Sequence, residues 1–230
     1  MSSKWIVGKD WNKVRNVILD QMGVKVKPPT YGNKIDWEKC QAFELKWWNK
    51  NWEPNKKRDQ EFIGKMKKEF DFTEDSFADK IVLDIGAGPR SWPSLLLKKA
   101  RIIIVEPLAS RFIEFNGDYY KLPNIMRVLS CPGEYDIERF WNRIDMVWCF
   151  NTLNHCCEWK KVIDNIEKYL KVGGKLYMKV KMSEHPHTGH IGVNKDEFFN
   201  YMDSKKFAYT NYHDSDETED CYIIIGDRTI

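Results

Sequence analysis

A chain of 230 residues leaves room for one α/β-sized domain with an appendage, but not for two full domains. Hydrophobic residues make up 42% and charged residues 31% of the chain, with a mean hydropathy of −0.60, which excludes a disordered chain and favours a globular protein. No apolar run approaches the roughly 20 residues of a membrane span, and charges interrupt the first ten residues, so we expect a cytoplasmic protein without a secretory signal. The six cysteines include no C-x-x-C pair and are expected to be reduced.

The first 70 residues are basic and rich in tryptophan. They hold 16 Lys and Arg against 9 Asp and Glu, and six of the ten tryptophans. Helical patterns occur at Trp11–Met22, Asp36–Asn49 and Lys57–Phe70, with Pro54 as a predicted break. Because so many large apolar rings are expected to pack against another apolar surface, we interpret residues 1–74 as a helical lid over a domain formed by residues 75–230.

From residue 80 onward, short β-branched runs alternate with helical patterns, and this alternation is typical of an α/β protein with a doubly wound parallel sheet. Two late strands separated by an acidic turn predict an antiparallel pair at the end of the chain. The predicted strands are Lys80–Ile85, Arg101–Val105, Asn124–Leu129, Ile144–Phe150, Lys175–Lys181, Lys206–Thr210 and Cys221–Gly226.

The first of these strands runs into a glycine turn that opens a helix, where a doubly wound sheet brings its backbone close to a ligand. Gly86 and Gly88 lack the Cβ atoms that would block such an approach. The third glycine of a dinucleotide fingerprint is absent, which argues against hydride transfer. Glu106 ends the next strand, 18 residues after Gly88, where a carboxylate can bind both hydroxyls of a ribose. The combination predicts an adenosine-type ligand.

Residues 75–230 resemble the class I S-adenosylmethionine-dependent methyltransferases, on the motif Asp84-Ile85-Gly86-Ala87-Gly88-Pro89 and the acid Glu106. A narrower likeness is to small bacterial methyltransferases, carried by Glu106-Pro107-Leu108-Ala109 and Asn151-Thr152-Leu153-Asn154-His155. The resemblance implies a Rossmann-like, seven-stranded, mostly parallel sheet with an antiparallel last strand. It also implies S-adenosylmethionine as the cofactor, with Asp84 near its ammonium and Glu106 on its ribose. The predicted cofactor-binding residues are Asp84, Gly86, Ala87, Gly88, Glu106, Pro107 and Asn151.

The acceptor site is expected above the carboxyl ends of the strands, where the loops after the fourth and fifth strands meet. His155 in the first loop is the predicted general base, because an imidazole can accept a hydroxyl proton near neutral pH, and its alternative role is that of a hydrogen-bonded loop histidine. The second loop holds three histidines; His187 is the second predicted catalytic residue, and no metal is predicted. The predicted substrate contacts are Tyr31, Trp48, His185 and His190.

Three functions remain open at this point. The leading one is O-methylation of a small polar acceptor such as a sugar or a phosphorylated metabolite. The second is methylation of RNA or protein, with the basic aromatic N-terminus supplying attraction and stacking. The third is a non-catalytic, cofactor-binding partner subunit. A small-molecule acceptor is the expected partner; nucleic acid is the less favoured one, and no membrane is expected.

Overall fold

A computed structural model describes residues 37–116, 119–183, 192–214 and 220–230. In this part of the chain, seven strands form one mixed sheet in the order β3-β2-β1-β4-β5-β7-β6, in which β7 is antiparallel to both of its neighbours and the other pairs are parallel. The predicted α/β fold with an antiparallel last strand is confirmed. The strands are β1 Ile81–Ile85, β2 Arg101–Val105, β3 Ile125–Leu129, β4 Ile144–Phe150, β5 Leu170–Lys181, β6 Phe207–His213 and β7 Cys221–Arg228.

Helices cover both faces of the sheet, which explains why most residues of its central strands are apolar and buried. Alternate residues of β1 point to opposite faces: Leu83 packs in one core cluster and Val82 in the other. The first cluster includes the apolar side of α5, and the second includes Met66 of α2. The helices are α1 Trp37–Lys57, α2 Asp59–Glu69, α3 Trp92–Leu96, α4 Ala109–Asn116, α5 Trp159–Tyr169 and α6 Lys195–Asp203, with 3₁₀ turns at Tyr119–Lys121, Glu138–Phe140 and Leu153–His155.

The strand order reverses between β1 and β4, which are adjacent and parallel. After β1 the chain crosses to β2, which lies on one side of β1, whereas β4 lies on its other side. The connections that follow β1 and β4 therefore diverge and leave a crevice at the carboxyl ends of these two strands. Such a switch point is where open α/β sheets bind their ligands. The fold therefore places the glycine turn after β1 and the loop after β4 at the same crevice.

Helix α1 differs from its predicted form. The sequence predicts a helix that ends near Asn49 with Pro54 as a break, but the helix continues through Pro54 to Lys57. A proline inside a helix removes one backbone hydrogen bond. The side chain of Trp52, two residues before Pro54, is buried, and its packing holds this part of the helix in place. The predicted helix Trp11–Met22 lies outside the described residues. Among the described helices, none is long and apolar enough to cross a membrane.

A buried ion pair joins the two N-terminal helices to the sheet. Asp59 begins α2, and its Oδ1 lies 3.1 Å from Nε of Arg90, which follows the glycine turn of β1; both side chains are buried. The guanidinium also lies over three indole rings, at 4.4 Å from the ring centroid of Trp92 and 5.6–5.7 Å from those of Trp52 and Trp48. The carboxylate of Asp59 and the three indole rings together compensate for the hydration that the Arg90 guanidinium loses on burial.

Two contacts at the other end of α2 add to this attachment. Lys65 Nζ lies 3.2 Å from Oδ1 of Asp214, which also pairs with the buried Lys179 of β5. The hydroxyl of Tyr212 in β6 donates a hydrogen bond of 2.6 Å to Glu69. Helix α2 is thus fixed to both the glycine turn and the end of the β6–β7 hairpin.

We predict that Asp59→Asn lowers the free energy of unfolding by about 3–5 kcal/mol, because it leaves the buried charge of Arg90 without this carboxylate. The matched control is Asp75→Asn, which removes the exposed partner of Lys99 and should cost about 1 kcal/mol or less. Urea unfolding monitored by tryptophan fluorescence measures both values. Equal losses in the two variants would show that the buried pair does not fix α2.

Candidate active site

A cavity of about 730 Å³ lies between the carboxyl ends of the central strands and helix α1. This is within the usual range for a small-molecule site. Nine residues that the sequence singles out line it: Trp48, Asp84, Gly86, Ala87, Gly88, Glu106, Pro107, Asn151 and His155. The other four, Tyr31, His185, His187 and His190, lie outside the described residues, so the structure does not place them.

The structure gives a reason for glycine at position 86 that the sequence analysis did not consider. Its φ of +73° is a conformation that other residues rarely adopt. A Cβ built on it would lie 2.3 Å from Oγ1 and Cγ2 of Thr152, in the loop after β4. Thr152 Oγ1 in turn donates a hydrogen bond of 2.9 Å to the carbonyl of Ile85. The missing side chain therefore lets the loops after β1 and β4 touch.

The second glycine of the turn holds the acid at the end of β2. Gly88 N–H donates to Oε2 of Glu106 at 3.0 Å, and Leu108 N–H donates to Oε1 at 2.8 Å. The carbonyl of Gly88 accepts a hydrogen bond from the hydroxyl of Tyr120, a residue that sequence reasoning missed because it lies in an irregular segment. Both carboxylate oxygens of Glu106 are thus oriented before any ligand binds, and each retains a lone pair for a further donor.

Two buried carboxyl groups face the cavity. Asp84 is 2% exposed, and its Oδ2 has no hydrogen-bond partner among the described residues. Burial raises the pKa of Asp84 to about 8, with a smaller rise from the neighbouring Glu106 and an opposing hydrogen bond from Ser91. Burial likewise raises the pKa of Glu106 to about 7, although its two backbone amides act in the opposite direction. Buried acceptors of this kind are satisfied by a cation or by hydroxyl donors.

The imidazole of His155 is paired with a residue that the sequence analysis did not consider. His155 ends the 3₁₀ turn after β4, and its Nδ1 lies 3.2 Å from Oε1 of Glu44 in α1. The two side chains are 29% and 19% exposed, respectively. Glu44 precedes Trp48 by four residues, so both side chains lie on one face of α1. This spacing is the only signal in the sequence that links Glu44 to a predicted site residue. The pair can hold and transfer a proton at the cavity wall.

The comparisons with known proteins find methyltransferases. Residues 83–178 match a family model described as a methyltransferase domain. Phosphoethanolamine N-methyltransferase 1 of Triticum aestivum is 33% identical over 111 residues, which are 45% of this chain and only 22% of that protein. The chain therefore spans about a fifth of the length of this curated relative.

Solved structures share the fold at low sequence identity. The 1,6-didemethyltoxoflavin-N1-methyltransferase of Burkholderia thailandensis superimposes with a TM-score of 0.52 at 13% identity, over 88% of this chain and 94% of that chain. A phosphoethanolamine N-methyltransferase 2 of Haemonchus contortus gives 0.53 at 14% identity, over 68% and 51% of the two chains. Residues 83–178 therefore match a methyltransferase domain model, and the described chain shares the Rossmann-like fold of these methyltransferase structures that the sequence motifs predict.

We predict that Gly86→Ala destabilises the protein by about 2–5 kcal/mol, because the new Cβ collides with Thr152 and the left-handed backbone is strained. Gly64→Ala is the matched control: a Cβ there meets nothing within 4 Å in the interior of α2, and the change should stabilise the protein by about 0.5–1 kcal/mol. Thermal unfolding followed by circular dichroism compares the two. A neutral Gly86→Ala would contradict the close contact between the two loops.

Proposed function

We propose that this chain, which carries a class I methyltransferase domain, transfers a methyl group from S-adenosylmethionine to a hydroxyl of a small polar acceptor. The observation that carries the proposal is the convergence of Asp84, Glu106 and His155 on one cavity of suitable size. Asp84 and Glu106 suit a cationic, ribose-bearing cofactor, and His155 suits an acceptor that must lose a proton.

The residues present fit the cofactor. Asp84 Oδ2 is a buried acceptor without a hydrogen-bond partner among the described residues, and an ammonium group would satisfy it. The pre-oriented oxygens of Glu106 would accept hydrogen bonds from the two ribose hydroxyls. Gly88 and Pro107 line the same wall of the cavity. When bound, S-adenosylmethionine supplies a methyl group on a positively charged sulfur.

His155 would accept the proton that the acceptor loses. The imidazole would take the hydroxyl proton while the acceptor oxygen is methylated, so that positive charge would not build up on that oxygen. The walls of the cavity contribute the rest by holding the acceptor in line and keeping water out. Asn151, next to the His155 turn, lines the same wall and would contact the cofactor.

The N-terminal helices would act as the lid of this site. Trp48 of α1 lies over the glycine turn, with its Cζ2 3.5 Å from the position of a Cβ on Gly88. Phe43 and Trp47, on the same helix, also line the cavity. We propose that residues 1–74 cover the cofactor and complete the acceptor site, as lids do in other enzymes, and that Tyr31, His185, His187 and His190 belong to the acceptor side.

An amine acceptor is the second candidate. It is favoured by the wheat relative, whose name describes an N-methyltransferase of phosphoethanolamine, and by the carboxylate of Glu44 at the cavity wall, which would attract a cationic amine. A protonated amine must also lose a proton before it can attack, so His155 would serve either acceptor. A screen with methyl-labelled cofactor against amine and hydroxyl acceptors, followed by mass identification of the product, distinguishes the two. No labelled product from any acceptor would refute both.

We predict that cofactor affinity falls as the pH is lowered from 8.5 to 6. The raised pKa values of about 8 and 7 mean that Asp84 and Glu106 take up protons in the empty cavity over this range, whereas the bound cation requires their ionised forms. Below the raised pKa, the loss approaches about tenfold per pH unit for one coupled proton. Titration calorimetry in buffers of different ionisation enthalpy should detect proton release on binding.

The variant Asp84→Asn keeps the size of the side chain but cannot ionise. It should bind the cofactor more weakly at pH 8 and show a shallower pH dependence, with the contribution of Glu106 remaining. An Asp84→Asn protein with the affinity and pH dependence of the wild type would remove Asp84 from the cofactor site.

We predict that His155→Ala lowers kcat by about 10²–10⁴-fold and leaves cofactor affinity within about twofold of the wild type, because a general base acts on the acceptor only. His213→Ala is the control, since His213 in β6 pairs with Asp220 and does not line the cavity. Steady-state kinetics with the acceptor from the screen give both constants. A wild-type kcat in His155→Ala would leave positioning as the only catalytic contribution of the site.

A further inference from the structure

We infer that Glu44 is a positioning residue that holds the imidazole of His155 in the orientation and tautomer needed to take the acceptor's proton, so the base is complete only when α1 lies on the sheet. The inference rests on the proposed role of His155 in methyl transfer. Its structural basis is the contact between Nδ1 of His155 and Oε1 of Glu44, which come from distant parts of the chain.

Both partners are held by rigid surroundings. His155 ends a 3₁₀ turn in which Leu153 and Asn154 are buried, and its backbone N–H donates to the carbonyl of Thr152 at 2.9 Å. Thr152 is itself bonded to the carbonyls of Ile85 and Phe150. The imidazole is therefore anchored to the sheet, and its remaining freedom is rotation about its own side-chain bonds.

The position of Glu44 is set by the packing of α1. One turn further along this helix, Trp48 contacts the glycine turn and lies over the guanidinium of Arg90. Another turn on, the buried Trp52 lies over the same guanidinium. These contacts fix the rotation of α1 about its axis and so direct Glu44 towards the loop after β4.

The chemistry of the pair determines which imidazole nitrogen takes the proton. An ionised carboxylate can only accept hydrogen bonds, so the nitrogen that faces it must carry the hydrogen. With the hydrogen on Nδ1, the lone pair of the neutral imidazole is on Nε2, which becomes the proton-accepting atom. The carboxylate also stabilises the imidazolium that forms when the acceptor is deprotonated. Glu44 would therefore act through His155, without contacting the reacting atoms.

The position of Glu44 on the lid gives it a second consequence. If α1 were displaced, His155 would remain at the cavity wall but would lose the carboxylate that selects its tautomer. Glu106 is near enough to the pair for Glu44 to raise its pKa and for His155 to lower it.

The test compares Glu44→Ala, Glu44→Gln and the wild type in the full chain, with ¹⁵N-labelled histidine. Long-range imidazole NMR spectra report the tautomer of His155 without any acceptor, and His155→Ala assigns the signals. We expect the Nδ1–H form in the wild type, its loss in Glu44→Ala, and partial retention in Glu44→Gln, which keeps an oxygen acceptor without the charge. Glu61→Gln, an exposed carboxylate of α2, is the control and should change nothing.

Kinetics provide the second readout. We expect Glu44→Ala to lower kcat by about 10–100-fold, the usual effect of misplacing a catalytic group, with cofactor affinity within about twofold of the wild type. Wild-type tautomer and kcat in Glu44→Ala, or an equal loss in kcat and cofactor affinity, would overturn the inference. A wild-type protein that methylates no acceptor would refute the proposed function and with it the catalytic part of the inference, whereas an unchanged tautomer in Glu44→Ala in a protein that does methylate would refute the role of Glu44 alone.

Discussion

The arrangement of the site depends on one buried arginine. Arg90 follows the glycine turn, and its guanidinium is held by Asp59 of α2 and by the rings of Trp48, Trp52 and Trp92. A buried charge must be paired, since its desolvation costs several kcal/mol. Two of these rings and the carboxylate come from the N-terminal helices, so the same interaction that satisfies the arginine also determines where those helices lie. The helices thereby become part of the cavity wall.

Burial accounts for the electrostatics of the cavity. Asp84 lies near the end of β1 and Glu106 directly after β2, and burial raises their pKa values to about 8 and 7. Helix α1 lines the same cavity and places Glu44 beside His155. The packing of α1 therefore contributes both to the cavity wall and to the contact with His155.

The sequence was sufficient for what depends on local pattern. Alternation of β-branched and helical segments predicted all seven strands, and because parallel strands end at the same edge, it also predicted that Asp84, Glu106 and His155 would meet. It could not predict the contact of Glu44 with His155 or of Asp59 with Arg90, because nothing in the sequence fixes the rotation of α1 and α2 over the sheet. It could not predict the close approach of Thr152 to Gly86 either, because this contact is made only by the folded chain.

A crystal structure of the full chain with S-adenosylhomocysteine is the most direct test of the central claim, that the cavity beneath α1 is the cofactor site. We expect the ribose hydroxyls to lie within hydrogen-bonding distance of Glu106 and the amino group within hydrogen-bonding distance of Asp84, with Trp48 still over the glycine turn. A ligand bound elsewhere, or bound in this crevice with α1 displaced from Arg90, would contradict the account.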